Sequence, residues 1–205
     1  MKKPTSFQLI ERIQRLGPEM GGVFTHADLS NLIGTRSPLQ NNRIIARLAR
    51  DGVLVRIQRG FYTTQKPDLW VLASRLRPDA VISMESVLAK EGLIGTIPEG
   101  IVSSIYPSTK RMFIETPFGL IRFFSIQKKL LFGISRMKNG VAIADKEKAF
   151  LDVLYFYTKG TTFVMDPITE INTRKLDRKK IETYLKRYKN PKFVTFVKGV
   201  LNANT

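Results

Sequence analysis

The sequence predicts an α+β chain in two parts. About sixty residues of short helices closed by a β-hairpin come first, then a larger α+β domain with a mostly antiparallel sheet and C-terminal helices. Three observations carry that prediction. Apolar residues recur at helical spacing three times before Gly52, after which the period changes to that of strands. Several strand-like runs follow one another between Ile101 and Ser125, and residues after Thr161 return to helical spacing.

The elements follow in order. Phe7, Leu9, Ile10, Ile13 and Leu16 mark a first helix that stops at Gly17-Pro18. Val23-Phe24 is a short extended entry. Thr25 then caps a helix through Leu29, Leu32 and Ile33, with Asp28 placed as in a capping box. Gly34-Thr35-Arg36 is a tight turn. Ser37 is an N-cap and Pro38 sits at N1, where its missing N–H costs nothing, so a third helix runs to Asp51 and ends at Gly52. Val53–Arg56 and Phe61–Thr64 flank Gln58-Arg59-Gly60 as a hairpin. Helix, helix, turn, helix, hairpin is the order of a winged helix-turn-helix, assigned to residues 1–66.

Residues 67–205 form the second part. Leu69 to Leu76 reads as a helix, Ala80-Val81-Ile82 as a strand, and Ser83 as the cap of a helix from Met84 to Glu91. Ile101–Tyr106, Arg111–Glu115, Leu120–Ser125 and, weakly, Val141–Ala144 read as strands. Asp145 caps an amphipathic helix, and Leu176–Tyr188 and Phe193–Leu201 are helices of a terminal extension, residues 161–205.

Charge points to a partner class. The chain carries 34 Lys and Arg against 17 Asp and Glu, a net +17, which draws it to a polyanion, nucleic acid ahead of an anionic membrane. Residues 1–66 hold eleven basic and four acidic side chains. On the third helix Ile44, Ile45 and Leu48 fall on one side, while Gln40, Arg43, Arg47 and Arg50 form a stripe extended by Arg36 from the turn. In a groove-reading helix the N-terminal half meets bases, so Arg43 is placed for guanine and Gln40 for adenine. Arg47 and Arg50 are assigned to phosphates, as is Ser37 with the helix N-terminus. Arg56, Gln58 and Arg59 on the hairpin suit a minor-groove or backbone contact.

Other chemistry is thin. With no cysteine and His26 the only histidine, disulfides, thiol nucleophiles and zinc sites built on Cys or several His are excluded, and no metal or cofactor is expected. His26 reads as a surface or capping-turn residue and Trp70 as core. A metal-dependent nuclease is the enzymatic rival, but Asp79 and the distant Asp177-Arg178-Lys179 match its carboxylate pattern poorly. Phosphate-loop and nucleophile-elbow motifs are absent. A basic C-terminus interleaved with Tyr184 and Tyr188 suits single-stranded RNA, although Ile181, Tyr184, Leu185 and Tyr188 at helical spacing read as a buried stripe. Neither a signal peptide nor a membrane span is read, so a cytoplasmic, non-enzymatic protein is expected.

The string Leu48–Tyr62, preceded by Phe24–Leu29, resembles the N-terminal winged helix of the AbiEi family of abortive-infection antitoxins, and Ala144–Asp152 is similar to that family's C-terminal domain. The resemblance implies a repressor of its own operon that binds inverted repeats in the promoter, as monomer or weak dimer. It also implies antitoxin activity against a nucleotidyltransferase-like toxin, with direct contact left open. A basic face on the larger domain would then matter, for which Lys110, Arg111, Arg122, Lys128, Lys129, Arg136 and Lys138 are candidates. A stand-alone transcription factor whose larger domain binds a ligand or dimerises remains the alternative.

Overall fold

The structure, a computed structural model, describes residues 5–95 and 100–203. The chain divides into two compact units, Met1–Leu76 and Arg77–Thr205. The boundary expected after Lys66 thus falls after Leu76, because the helix around Trp70 belongs with the first unit. Asp68 N–H donates to Gly21 O, and Arg75 pairs with Asp28 at 2.7 Å.

The first unit runs α1 (Ser6–Leu16), β1 (Val23–Thr25), α2 (His26–Ile33), α3 (Pro38–Arg50), β2 (Val55–Gln58), β3 (Phe61–Thr63) and α4 (Leu69–Leu76). Local chemistry sets each boundary. Thr25 and Asp28 close a reciprocal capping box on α2, and Gly34 ends that helix in the left-handed region at φ 69°. The Ser37 hydroxyl accepts from Gln40 N–H and Pro38 opens α3. The three strands pair antiparallel in the order β1-β3-β2. Leu9, Ile13, Phe24, Leu29, Ile33, Ile45, Leu48 and Leu54 meet in one core; burying each is worth about 1.5–3 kcal/mol. Trp70, expected in the core, is only half-buried.

The second unit runs β4 (Val81–Ile82), α5 (Glu85–Lys90), β5 (Ile101–Pro107), β6 (Met112–Thr116), β7 (Gly119–Ile126), β8 (Ile134–Arg136), β9 (Ala142–Ala144), α6 (Lys146–Tyr157), α7 (Arg178–Leu185) and α8 (Pro191–Ala203). Its sheet, ordered β6-β7-β5-β4-β9-β8, is mixed: three of its five pairings are antiparallel, as expected, and two are parallel. The longest ladder, β5 with β7, is parallel, because β6 takes the outer edge and returns through a two-residue turn to place β7 inside. Gly119, at φ 141°, makes that return possible: a Cβ there would collide with the Gly100 carbonyl.

The helices cover the sheet with Phe150, Leu151, Leu154 and Phe156 of α6 buried beside Phe123 and Phe124. Ile181 and Leu185 of α7 and Phe193, Val197 and Leu201 of α8 are also buried, so these helices complete the core rather than extend from it. Ser83 is not a cap. Its hydroxyl donates to Asp152 at 2.6 Å, and the α5 N-cap is Met84, a buried side chain held at φ 54°.

Candidate nucleic-acid interface

α3 presents one face to solvent, and the expected basic stripe lies on it. Arg43, Arg47 and Arg50 are exposed, as are Arg36 and Ser37 just before the helix. Gln40 is half-buried at the margin of that face. Between the arginines stand three residues that attention to charge alone overlooks: Leu39, Asn42 and Ala46, all exposed. Their signal was present in the helical wheel, where they share the solvent side with Arg43 and Arg50.

Hydrogen bonds fix how α3 sits. Asn41, buried at 6% exposure, accepts from the Thr35 hydroxyl at 2.6 Å and donates to the Thr35 carbonyl at 3.3 Å, which locks the turn to the helix. His26 Nε2–H donates to Asn42 Oδ1 at 2.6 Å, leaving Nδ1 to accept from the Ser30 hydroxyl at 3.4 Å. His26 therefore links α2 to α3. Asp28 anchors the same first turn of α2. Burial opposes its ionisation, but bonds from Thr25 and the Arg75 guanidinium hold its carboxyl below the usual carboxylate range.

The β2–β3 hairpin carries Arg56 and Gln58 outward, alternating with half-buried Val55 and Ile57, and a bulge between Arg56 and Gln58 re-aims its end. Exposed Arg59 and half-buried Gly60, the latter at φ 82°, form the tip. Arg36, Arg43, Arg56 and Arg59 make no ion pair with any described residue. Arg47 and Arg50 both lean on Asp51, at 3.4 and 3.7 Å. The first unit thus gathers six exposed arginines on α3, its leading turn and the hairpin, with one acid among them.

The seven candidates on the larger unit do not gather into one face. Lys110 and Arg111 precede the edge strand β6, whereas Arg136 and Lys138 lie on and after β8, the opposite edge. Lys128 and Lys129 are exposed on a 3-10 turn, Lys128–Leu130, after β7. Arg111 is occupied: its guanidinium lies 5.5 Å from the Phe124 ring and donates to Thr161 at 2.9 Å. Arg122 is removed from the set, because its side chain is 11% exposed, donates to Ser103 Oγ and pairs with the buried Glu85.

The motif Ala144–Asp152 turns inward as well. Asp145 caps α6, accepting from Lys148 N–H at 2.8 Å, and also accepts from the Tyr184 hydroxyl, whose pKa burial and that carboxylate push up to about 12. Glu147 is buried and accepts Lys180 Nζ at 3.0 Å and Asp177 N–H at 3.1 Å. Lys148 and Asp152 form an i,i+4 pair with no exposure, and burial pushes the Asp152 carboxyl up against the pull of Lys148 and Ser83. These charges build the fold, and Glu147, Lys148 and Asp152 are buried within it. Of the nuclease carboxylates, Asp177 is the N-cap of α7 and Asp79 is an exposed loop residue; among the described residues no group of three or more His, Cys, Asp or Glu stands together as a metal site.

The candidates Ile181, Tyr184, Leu185 and Tyr188 form the buried or half-buried stripe their spacing predicts. Tyr184 packs on Phe132, and Tyr188 packs on Phe132 and Phe193 with its hydroxyl pushed up by burial, so neither Tyr184 of α7 nor Tyr188 after it is a free stacking platform. No helix among the described residues is long and apolar enough to cross a membrane.

No family model matches the chain, and no curated protein matches it. Among solved structures it is similar to the RV2827C protein of Mycobacterium tuberculosis, at a TM-score of 0.64 and 14% identity, over 99% of this chain and 78% of that one. At that identity the likeness shows a shared α+β fold along nearly the whole chain.

Proposed function

We propose that the first unit is a winged helix-turn-helix that binds duplex DNA, with α3 in the major groove and the β2–β3 hairpin as the wing. The chain then represses its own operon, and the larger unit counteracts a nucleotidyltransferase-like toxin. The observation that carries the DNA reading is the exposed face of α3, where Arg43, Arg47 and Arg50 stand on a helix fixed by the His26–Asn42 and Thr35–Asn41 bonds. A rigid helix of that charge matches phosphates by attraction and base edges by geometry. Arg43 is assigned to guanine. Leu39 and Ala46 join it as apolar contacts for thymine methyl groups, and Gln40, at the margin, keeps only a secondary role. Arg36, Ser37, Arg47 and Arg50 position the helix on the backbone, and Arg56, Gln58 and Arg59 hold the flanking groove.

The antitoxin half is supported by the likeness of Ala144–Asp152 to the AbiEi family, whose charged residues here form the scaffold of the larger unit. A gel shift on the chain's own promoter tests the first half. Arg43→Ala and Arg47→Ala should each weaken binding, and parental binding by both overturns the assignment of α3. Co-expression with the nucleotidyltransferase-like product of a neighbouring gene tests the second. Rescue of growth by the full chain, kept in Arg43→Ala, supports it; absence of rescue by the parent overturns it.

A further inference from the structure

Five cations rim one hollow of the larger unit, and no carboxylate lines it. Lys129 comes from the 3-10 turn after β7, Lys159 from the end of α6, Arg187 and Lys189 from the connection between α7 and α8, and Lys192 from the first turn of α8. None makes an ion pair with a described residue. Lys159 Nζ lies 4.4 Å from the Tyr155 ring and the Arg187 guanidinium 4.9 Å from the Phe132 ring, so aromatic faces rather than described carboxylates offset the charge, as suits a surface that meets an anion. The hollow is also aromatic. Tyr155 and Phe196 are half-buried in its lining, and Phe196 stacks at 15° on exposed Tyr157. Gln127 and Asn190 add neutral amides.

Its volume, about 500 Å³, falls in the roughly 300–1,000 Å³ range of sites that enclose a small organic group. A second hollow of about 690 Å³ shares Tyr188 and Lys189 with it and adds Lys186 and Lys198 against one carboxylate, Glu182. The cationic surface therefore runs on past the space one nucleotide fills. We infer that this groove binds single-stranded nucleic acid, its lysines and Arg187 on the phosphates and its aromatic lining against unstacked bases. Aromatic lining combined with dispersed cations is what a single strand needs, since every base offers a π-face and every phosphate a charge. A duplex keeps its bases stacked, and an acidic peptide has no use for the rings.

The test is fluorescence anisotropy of a labelled eight-nucleotide uridine RNA with the full chain across a salt series. Single strands lose about 0.7 in log–log salt slope per phosphate contact removed, so Lys159→Ala/Lys189→Ala/Lys192→Ala should flatten the slope by about 2. Phe196→Leu should weaken binding about fivefold or more at fixed salt. Arg43→Ala/Arg47→Ala should leave the RNA affinity unchanged, which separates this groove from the DNA-binding face. Three results overturn the proposal. The triple variant binds with the parental affinity and slope; polyglutamate of equal charge displaces the RNA as well as unlabelled RNA does; or duplex of equal length competes as well as RNA in the Arg43→Ala/Arg47→Ala background. Thermal melting of the triple variant should match the parent, because all three lysines are exposed.

Discussion

Replacing the acid at the end of α3, the helix proposed to face DNA, should strengthen binding. Asp51 ends α3 with its carboxylate 3.4 Å from Arg47 Nε and 3.7 Å from Arg50 Nε, and all three side chains are 47% exposed or more. Exposed pairs of this kind are worth only about 0.2–1 kcal/mol, so the guanidinium groups are cheaply released. A carboxylate at a helix C-terminus also opposes the helix dipole, so Asp51→Asn should not destabilise the unit. In the proposed complex Asp51 competes with phosphate for both arginines and repels the backbone across a few ångströms of water. Removing it recovers about 1 kcal/mol in all, roughly fivefold in affinity. If one arginine gains a full phosphate contact, the salt slope steepens by about 0.9. Anisotropy of a labelled promoter duplex at four salt concentrations reads both quantities, with thermal melting as the folding control. Unchanged or weaker binding at unchanged melting temperature refutes the placement of Arg47 and Arg50 on phosphates.

Three further outcomes concern the scaffold. Lys148→Met strips the buried Asp152 carboxyl of its cation, at a cost of about 3–5 kcal/mol; Lys148→Met/Asp152→Asn, which keeps an acceptor for Ser83, should recover most of it in chemical denaturation. Gly119→Ala should cost more than about 1 kcal/mol, because Cβ meets the Gly100 carbonyl whose oxygen accepts Leu120 N–H at the start of the parallel ladder. Parental melting in this variant contradicts the close approach. Asp28, its folded pKa depressed, contributes stability that is full above about pH 4, its unfolded value, and is lost as pH falls through the lower folded value. Melting of the parent between pH 5 and 2 should show that loss, and Asp28→Asn should flatten it; identical slopes in the two proteins contradict the Asp28–Arg75 and Thr25 bonds as its source.

The first unit was legible because its signals are local. Thr25 with Asp28, Ser37 with Pro38, and Gly34 and Gly52 each mark a boundary within a few residues, and the structure places the caps where those residues stand. The larger unit hides its logic in distant pairs. Ser83 looks like a cap in sequence, yet its partner Asp152 lies 69 residues on. Arg122 alternates like a solvent-facing strand residue, but Glu85 and Ser103 draw it inside. Lys148 and Asp152 read as ordinary helix-surface charges, and only the layer packed over α6 makes them a core pair. β8 escaped because Ile134-Ser135-Arg136 is short and exposed throughout, so it carries no alternation to detect. The parallel pairing of β5 with β7 depends on β6 occupying the edge, an arrangement no run of residues encodes by itself. The basic groove likewise joins residues from three elements between Gln127 and Phe196.

Whether the exposed face of α3 enters the duplex can be read directly, because the chain has no cysteine. Ala46→Cys puts a single thiol in the middle of that face, where an attached iron chelate cuts DNA within its reach. On the promoter duplex, cuts should be confined to one or a few discrete sites, lost when Arg43→Ala is added and much stronger than from Thr195→Cys on α8. Cutting from Ala46→Cys that is absent, or spread evenly along the duplex, or no stronger than from Thr195→Cys, would contradict the entry of α3 into the duplex.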